Sequence, residues 1–181
     1  NRTVPTFLAD EEKFVRETGV AWEAGGHSYN FLCSADLVLL SPGVDLALPL
    51  ISSLRDAGVR MAGELAVATG AITVPVVAIT GTNGKTTVTT LIGELLSASG
   101  RKVFVGGNIG TPPYEFLCCP DGYDMVVVEV SSFQLESAGN FAPNVGVLLN
   151  ITPDHLDRHG SLQGYAQMKM QLFAHQQAGD L

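Results

Sequence analysis

The chain has 181 residues, room for one ordinary domain or two small ones, and its 46% hydrophobic and 15% charged residues exclude a disordered chain. No apolar run reaches the roughly 18 residues of a membrane span. Ten basic against 18 acidic residues give a net charge of −8, which excludes a protein that grips nucleic acid through many phosphate contacts, so any anionic ligand must be held locally. Cys33, Cys118 and Cys119 are odd in number, form no Cys-x-x-Cys and include two neighbours badly placed to bridge, which fits a reducing cytoplasm. No signal peptide is visible, but the chain starts at Asn1 without a methionine, so that absence carries little weight.

In chain order, the pattern predicts a helix from Asp10 to Thr18, then a strand from Ala35 to Leu40 closed by Ser41-Pro42-Gly43. A helical pattern runs from Asp45 to Ala57 and stops at Gly58, followed by a strand Val59 to Ala62 and a helix Gly63 to Thr69. Gly70 to Thr73 is the candidate boundary, dividing the chain into residues 1–72 and 73–181. Beyond it come a strand Val76 to Thr80, a helix Thr86 to Ser99, and strands Lys102 to Val105, Met125 to Val130 and Gly146 to Asn150. A last helix extends from about Leu162 to Gln177. Continuous apolar strands alternating with helices predict an α/β fold with a mostly parallel sheet covered on both faces. Ligands of such sheets sit beyond the carboxyl ends of the strands.

The segment Gly81-Thr82-Asn83-Gly84-Lys85-Thr86-Thr87, between a Val/Ile strand and a helix, reads as a nucleotide triphosphate loop. Its glycines let backbone N–H groups turn toward phosphates, Lys85 reaches the terminal phosphates, and the Thr86 hydroxyl is a Mg²⁺ ligand. The first glycine of the usual phosphate-loop pattern is replaced by Ile79; the alternative reading is a glycine turn with a surface lysine. Glu129 lies near the end of the otherwise apolar strand Met125 to Val130, where a carboxylate is costly to bury without a cation, and it is either a Mg²⁺ or water-orienting group or a strand-end residue in water. His155 and His159 stand four apart, but no cysteine is nearby and carboxylates surround them, which suits a hard cation with oxygen ligands better than zinc. Surface histidines are the alternative. On the last helix, Leu162, Tyr165, Ala166, Lys169, Leu172 and Phe173 share one stripe, so Lys169 must snorkel, pair or lose its charge. A neutral Lys169 amine is able to form a carbamate with CO₂ and become an anionic metal ligand.

Taken together, these segments resemble the Mur ligase family of bacterial cell-wall synthesis over nearly the whole chain. The loop Gly81 to Thr87 is similar to that family's own variant of the phosphate loop. Gly107-Asn108-Ile109-Gly110 and Glu129-Val130-Ser131-Ser132-Phe133-Gln134-Leu135-Glu136 resemble its D-glutamate-adding branch. The resemblance implies part of an N-terminal Rossmann-like domain over residues 1–72 and a P-loop NTPase-like central domain over 73–181. It also implies that a C-terminal domain lies outside this chain, which alone would not turn over efficiently. It implies ATP and two Mg²⁺ ions as cofactors, with Lys85 on the phosphates, Thr86 and Glu129 at the first Mg²⁺, and His155 and a carbamylated Lys169 at the second. Asn108, Ser132 and His155 would face UDP-N-acetylmuramoyl-L-alanine, Ser41, Pro42 and Gly43 its diphosphate, and Arg2 its uracil. D-Glutamate would be the amine acceptor, with a monomer in the cytoplasm and no nucleic-acid or membrane partner. The competing readings are a folylpolyglutamate synthase-like ligase, whose pattern lacks Ser131-Ser132-Phe133-Gln134, and a catalytically silent nucleotide-binding module.

Overall fold

The computed structural model describes Val15, residues 17–23 and residues 25–181. Arg2 and most of the helix expected from Asp10 to Thr18 lie outside the described residues; within them, Val15, Glu17 and Thr18 are helical. The chain falls into two compact units. One comprises the described residues up to Val38 together with Asp45–Met61, and the other comprises Leu39–Val44 with Ala62–Leu181.

In the first unit, α1 (Tyr29–Cys33) begins where the Ser28 hydroxyl accepts from the Phe31 amide at 3.2 Å. Helix α2 (Pro49–Asp56) buries Ile51 and Leu54. It starts four residues later than the pattern predicts, because the Asp45 carboxylate takes the Ala47 amide at 2.9 Å in a turn and Pro49 then fixes the first helical φ. Two short strands pair, β1 (Val38–Leu40) and β2 (Met61–Gly63), each with its first residue in the first unit and its last two in the second. Strand β1 is shorter than expected and alternates: Val38 and Leu40 are buried while Leu39 is exposed. The strand expected at Val59 starts at Met61 instead, because the Val59 amide is already donated to the Leu54 carbonyl at the end of α2.

The second unit holds α3 (Glu64–Thr69) and a four-stranded sheet of β3 (Val76–Thr80), β4 (Val103–Gly107), β5 (Met125–Glu129) and β6 (Val145–Leu148), in the order β4-β5-β3-β6. Every pairing is parallel. Strand β3 is buried along its whole length, and its alternate residues feed two cores. Val76 and Ala78 meet Phe104, Phe116, Val126, Val128 and Leu172 on one face. Val77 and Ile79 meet Val127 and the apolar side of α4 (Lys85–Ala98), with Val88, Ile92 and Leu96, on the other. This two-sided burial is why the strands read as continuous apolar runs.

Three short helical pieces surround the carboxyl ends of these strands: α5 (Ser132–Leu135), α6 (Leu156–His159) and α7 (Leu162–Met170). Ser161 starts α7 by accepting from the Gly164 amide at 3.0 Å. The helix ends well before the expected Gln177. It tightens into a 3₁₀ turn at Gln171–Phe173, and the Gln177 amide is taken by the Asp180 carboxylate at 2.7 Å.

Candidate nucleotide and metal site

The loop between β3 and α4 turns at Gly84, whose φ of +83° a side chain would strain. The amides of the first turn of α4 are thereby left to point out of the helix, the arrangement that accommodates phosphate. The end of β6 braces this loop: Asn150 accepts the Thr82 amide on its carbonyl at 3.1 Å, and its side-chain amide both accepts from and donates to the backbone of Asn83 at 3.0 Å. The Thr152 amide adds a bond to the Thr82 hydroxyl at 3.0 Å. Asn150 and Thr152 are site residues the motif reading missed; the available signal was a polar residue at a strand's carboxyl end.

Glu129 is 2% exposed at the end of β5. Its carboxylate accepts from the Thr86 hydroxyl at 2.8 Å and from the Asn108 amide nitrogen at 2.9 Å. The alternative of a strand end in water is thus excluded. Asn108 reaches Glu129 because β4 and β5 run in register, with Gly107 opposite Glu129, and a Cβ at Gly107 would stand only 2.1 Å from the Glu129 carbonyl oxygen. The Asn108 amide donates to that same carbonyl at 2.9 Å.

Lys85 Nζ lies across the loop, donating to the Thr82 carbonyl at 3.0 Å. Lys169 is 1% exposed, so it does not snorkel. Its Nζ donates to the Gly81 carbonyl at 2.8 Å and sits 4.5 Å from the centre of the Tyr165 ring. Burial first, and then the like charge of Lys85, pull its pKa down to about 8, against weaker upward pulls from Asp154 and Glu129.

His155 is the N-cap of α6 at a φ of +49°, with its side chain 45% exposed. Its ring packs edge-on to Phe133 at 4.9 Å between centres. His159 instead is inside: its ring is stacked on Phe133 at 5.7 Å, Nε2 lies 3.1 Å from the Ser132 hydroxyl, and Nδ1 faces Glu136 at 3.7 Å. Desolvation lowers the His159 pKa, opposed in part by Glu136. Ser132 is buried and engaged with His159, while Ser131 and Gln134 close a capping box at the start of α5. The roles of His159, Ser131 and Gln134 were not anticipated, although Ser-x-x-Gln before an apolar residue was legible.

Ser41, Pro42 and Gly43 form a tight turn, with the Val44 amide on the Ser41 carbonyl at 3.2 Å and Gly43 at a φ of +91°. Among the described residues, no group of three His, Cys, Asp or Glu side chains gathers as a ready metal cage. The donors that converge near the loop are the hydroxyl of Thr86 and the carboxylate of Glu129. A buried carboxylate whose direct hydrogen-bond donors are neutral suits a hard cation beside it.

Residues 79–181, more than half of the chain, match the Mur ligase middle domain. A UDP-N-acetylmuramoylalanine--D-glutamate ligase of Desulfotalea psychrophila is 56% identical over 180 residues, 99% of this chain and 39% of that protein. A second, from Desulfosudis oleivorans, is 47% identical over 174 residues, 96% of this chain and 38% of its own length. The chain therefore spans about two-fifths of the relatives it matches. The solved UDP-N-acetylmuramate-alanine ligase of Thermotoga maritima shares the fold at a TM-score of 0.51, with 24% identity over 92% of this chain and 39% of that one. With the phosphate-loop geometry and the match over residues 79–181 agreeing, the chain belongs to the Mur ligase family.

Proposed function

We propose that this chain is the nucleotide-binding part of an ATP-dependent ligase that joins D-glutamate to UDP-N-acetylmuramoyl-L-alanine through an acyl phosphate. The observation that carries the reading is the junction of Thr86, Glu129 and Asn108 at the end of β5, next to the Gly81–Thr87 loop. The names of the D-glutamate ligases that match nearly the whole chain support the choice of acceptor. Residues 73–181 form the ATP domain and residues 1–72 part of the domain for the UDP substrate, in a cytoplasmic monomer. No helix among the described residues is long and apolar enough to cross a membrane.

The chemistry follows from charge. The L-alanyl carboxylate attacks the γ-phosphorus of ATP, ADP leaves, and the acyl phosphate is then attacked by the D-glutamate amine, which loses a proton as phosphate departs. Two anions must meet in the first step, so positive charge has to be preorganised. Lys85 and the first amides of α4 supply it at the phosphates, with Gly81, Thr82, Asn83, Gly84 and Thr87 shaping the cradle. Thr86 and Glu129 would hold one Mg²⁺, and His155 with carbamylated Lys169 a second. When bound, the metal ions neutralise the phosphates and the developing charge. Carbamate formation needs a neutral amine, and the lowered Lys169 pKa leaves roughly a tenth of it neutral at pH 7. The amine attacks CO₂, a proton is lost, and the lysine becomes an anion. Asn108, Ser132 and His155 border the muramoyl group, and Ser41, Pro42 and Gly43 receive the diphosphate. Arg2 is assigned to the uracil from the sequence resemblance alone.

The test is phosphate release from ATP with UDP-N-acetylmuramoyl-L-alanine, in a ligase of full family length carrying this segment. Release should require D-glutamate and fail with L-lysine or meso-diaminopimelate. Release with either of those would move the protein to another branch, and none at all would favour a silent nucleotide-binding module.

A further inference from the structure

The second unit contains an ion-pair assembly that the nucleotide chemistry does not use. Arg158, on α6, lays its guanidinium against Glu136, with Nε donating to one carboxylate oxygen at 3.1 Å and Nη2 to the other. The same Nη2 also donates to the Val44 carbonyl at 2.9 Å, and the guanidinium carbon lies 5.9 Å from the centre of the Phe133 ring. Both charged side chains are largely buried, at 17% and 12% exposed. Val44 closes the Ser41-Pro42-Gly43 turn, and Arg158 stands three residues beyond His155.

We propose that Arg158 and Glu136 are positioning residues that latch the Ser41–Val44 turn to the α6 segment bearing His155, fixing the distance between the diphosphate end and the reacting end of a long substrate. The inference rests on the proposed UDP substrate for its consequence, though not for its geometry. A planar fork is required: two nitrogens satisfy Glu136 and one of them still has a hydrogen for Val44. Lysine supplies the charge without the fork. The imidazole Nδ1 of His159 lies 3.7 Å from the same Glu136 oxygen that accepts from Arg158 Nε. The latch thus joins the turn, α5 and α6 through directed bonds, where apolar packing alone would permit sliding.

Two measurements test it, using Arg158→Lys and Glu136→Gln. In this chain, hydrogen exchange at the amides of Ser41, Gly43, Val44 and Asp45 should quicken at least tenfold in both variants, while β3 and β5 amides keep their protection. Unchanged exchange at the turn would overturn the latch, as would acceleration of turn and sheet together, which would mark a general stabilising role. In the full-length ligase, the KM for the UDP substrate should rise about tenfold in both variants, with the KM for ATP and kcat within twofold of the parent. Equal rises in both KM values would also overturn it. If the parent ligase makes no amide with D-glutamate, the function reading fails while the exchange result still judges the latch.

Discussion

Lys169 shows how one residue sets stability against chemistry. Its amine is held near pKa 8 in the fold, below the 10.5 of a free lysine, so the charged form is the penalised one. Above pH 10.5 both folded and unfolded chains carry a neutral amine and the contribution to stability is fully present. As pH falls toward 8 the unfolded chain takes the proton first, and the contribution is lost, amounting to about 3 kcal/mol. Lys169→Met removes that penalty but leaves the Gly81 carbonyl short of its donor. The expected balance at pH 7 is a gain of about 1 kcal/mol, since a carbonyl keeps a second lone pair and costs less to strand than a charge. Urea unfolding should show the parent becoming more stable, relative to the variant, as the pH is raised from 8 to 10.5. A parallel pH dependence in the two proteins would refute the assignment. Phosphate release by the full-length ligase should meanwhile fall by two orders of magnitude or more.

At the scale of elements, glycine and capping chemistry place the carboxylate. Gly107 lets β4 come up against the Glu129 carbonyl and deliver Asn108 to its side chain, and Gly107→Ala would force the strands apart just there. That substitution should cost about 2–3 kcal/mol, from overpacking and a φ of +112° that alanine resists. Magnesium-dependent nucleotide binding should weaken with it, which calorimetry reads directly. Ser131→Ala makes a smaller change. It opens the capping box of the four-residue α5 and should cost about 1 kcal/mol by chemical denaturation, with nucleotide affinity retained. Strand β3 and the phosphate loop were legible because a continuous apolar run ending in a Gly-x-x-Gly-Lys-Thr segment at the head of a helix joins a buried strand to a phosphate-accepting turn. The start of α2 and the end of α7 were not, since Asp45 captures a backbone amide through its side chain and α7 tightens into a 3₁₀ turn at Gln171–Phe173, neither of which hydrophobic period reports. The partnership of Asn108 with Glu129 was equally hidden, because it depends on the register between strands and not on spacing along the chain.

The molecule as a whole carries a net charge of −8, so a nucleoside triphosphate meets a repulsive average field and a locally favourable one. The local field comes from Lys85 and the N-terminus of α4, and it is opposed by Glu129, which is 2% exposed and therefore weakly screened. A buried carboxylate next to phosphates is tolerable when a divalent cation lies between them and unfavourable when none does. Glu129→Gln keeps the shape, and its side-chain oxygen still accepts from Thr86 or Asn108, but it removes the negative charge. The variant should bind Mg-ATP at least tenfold more weakly than the parent. In EDTA the order should reverse, with metal-free ATP binding better to the variant, because the carboxylate bonded to Thr86 has gone while Lys85 and the helix terminus stay. Calorimetry with and without chelator measures all four affinities. A variant that loses affinity equally in both conditions would show that Glu129 acts by holding the loop in shape, and its part in metal binding would have to be withdrawn.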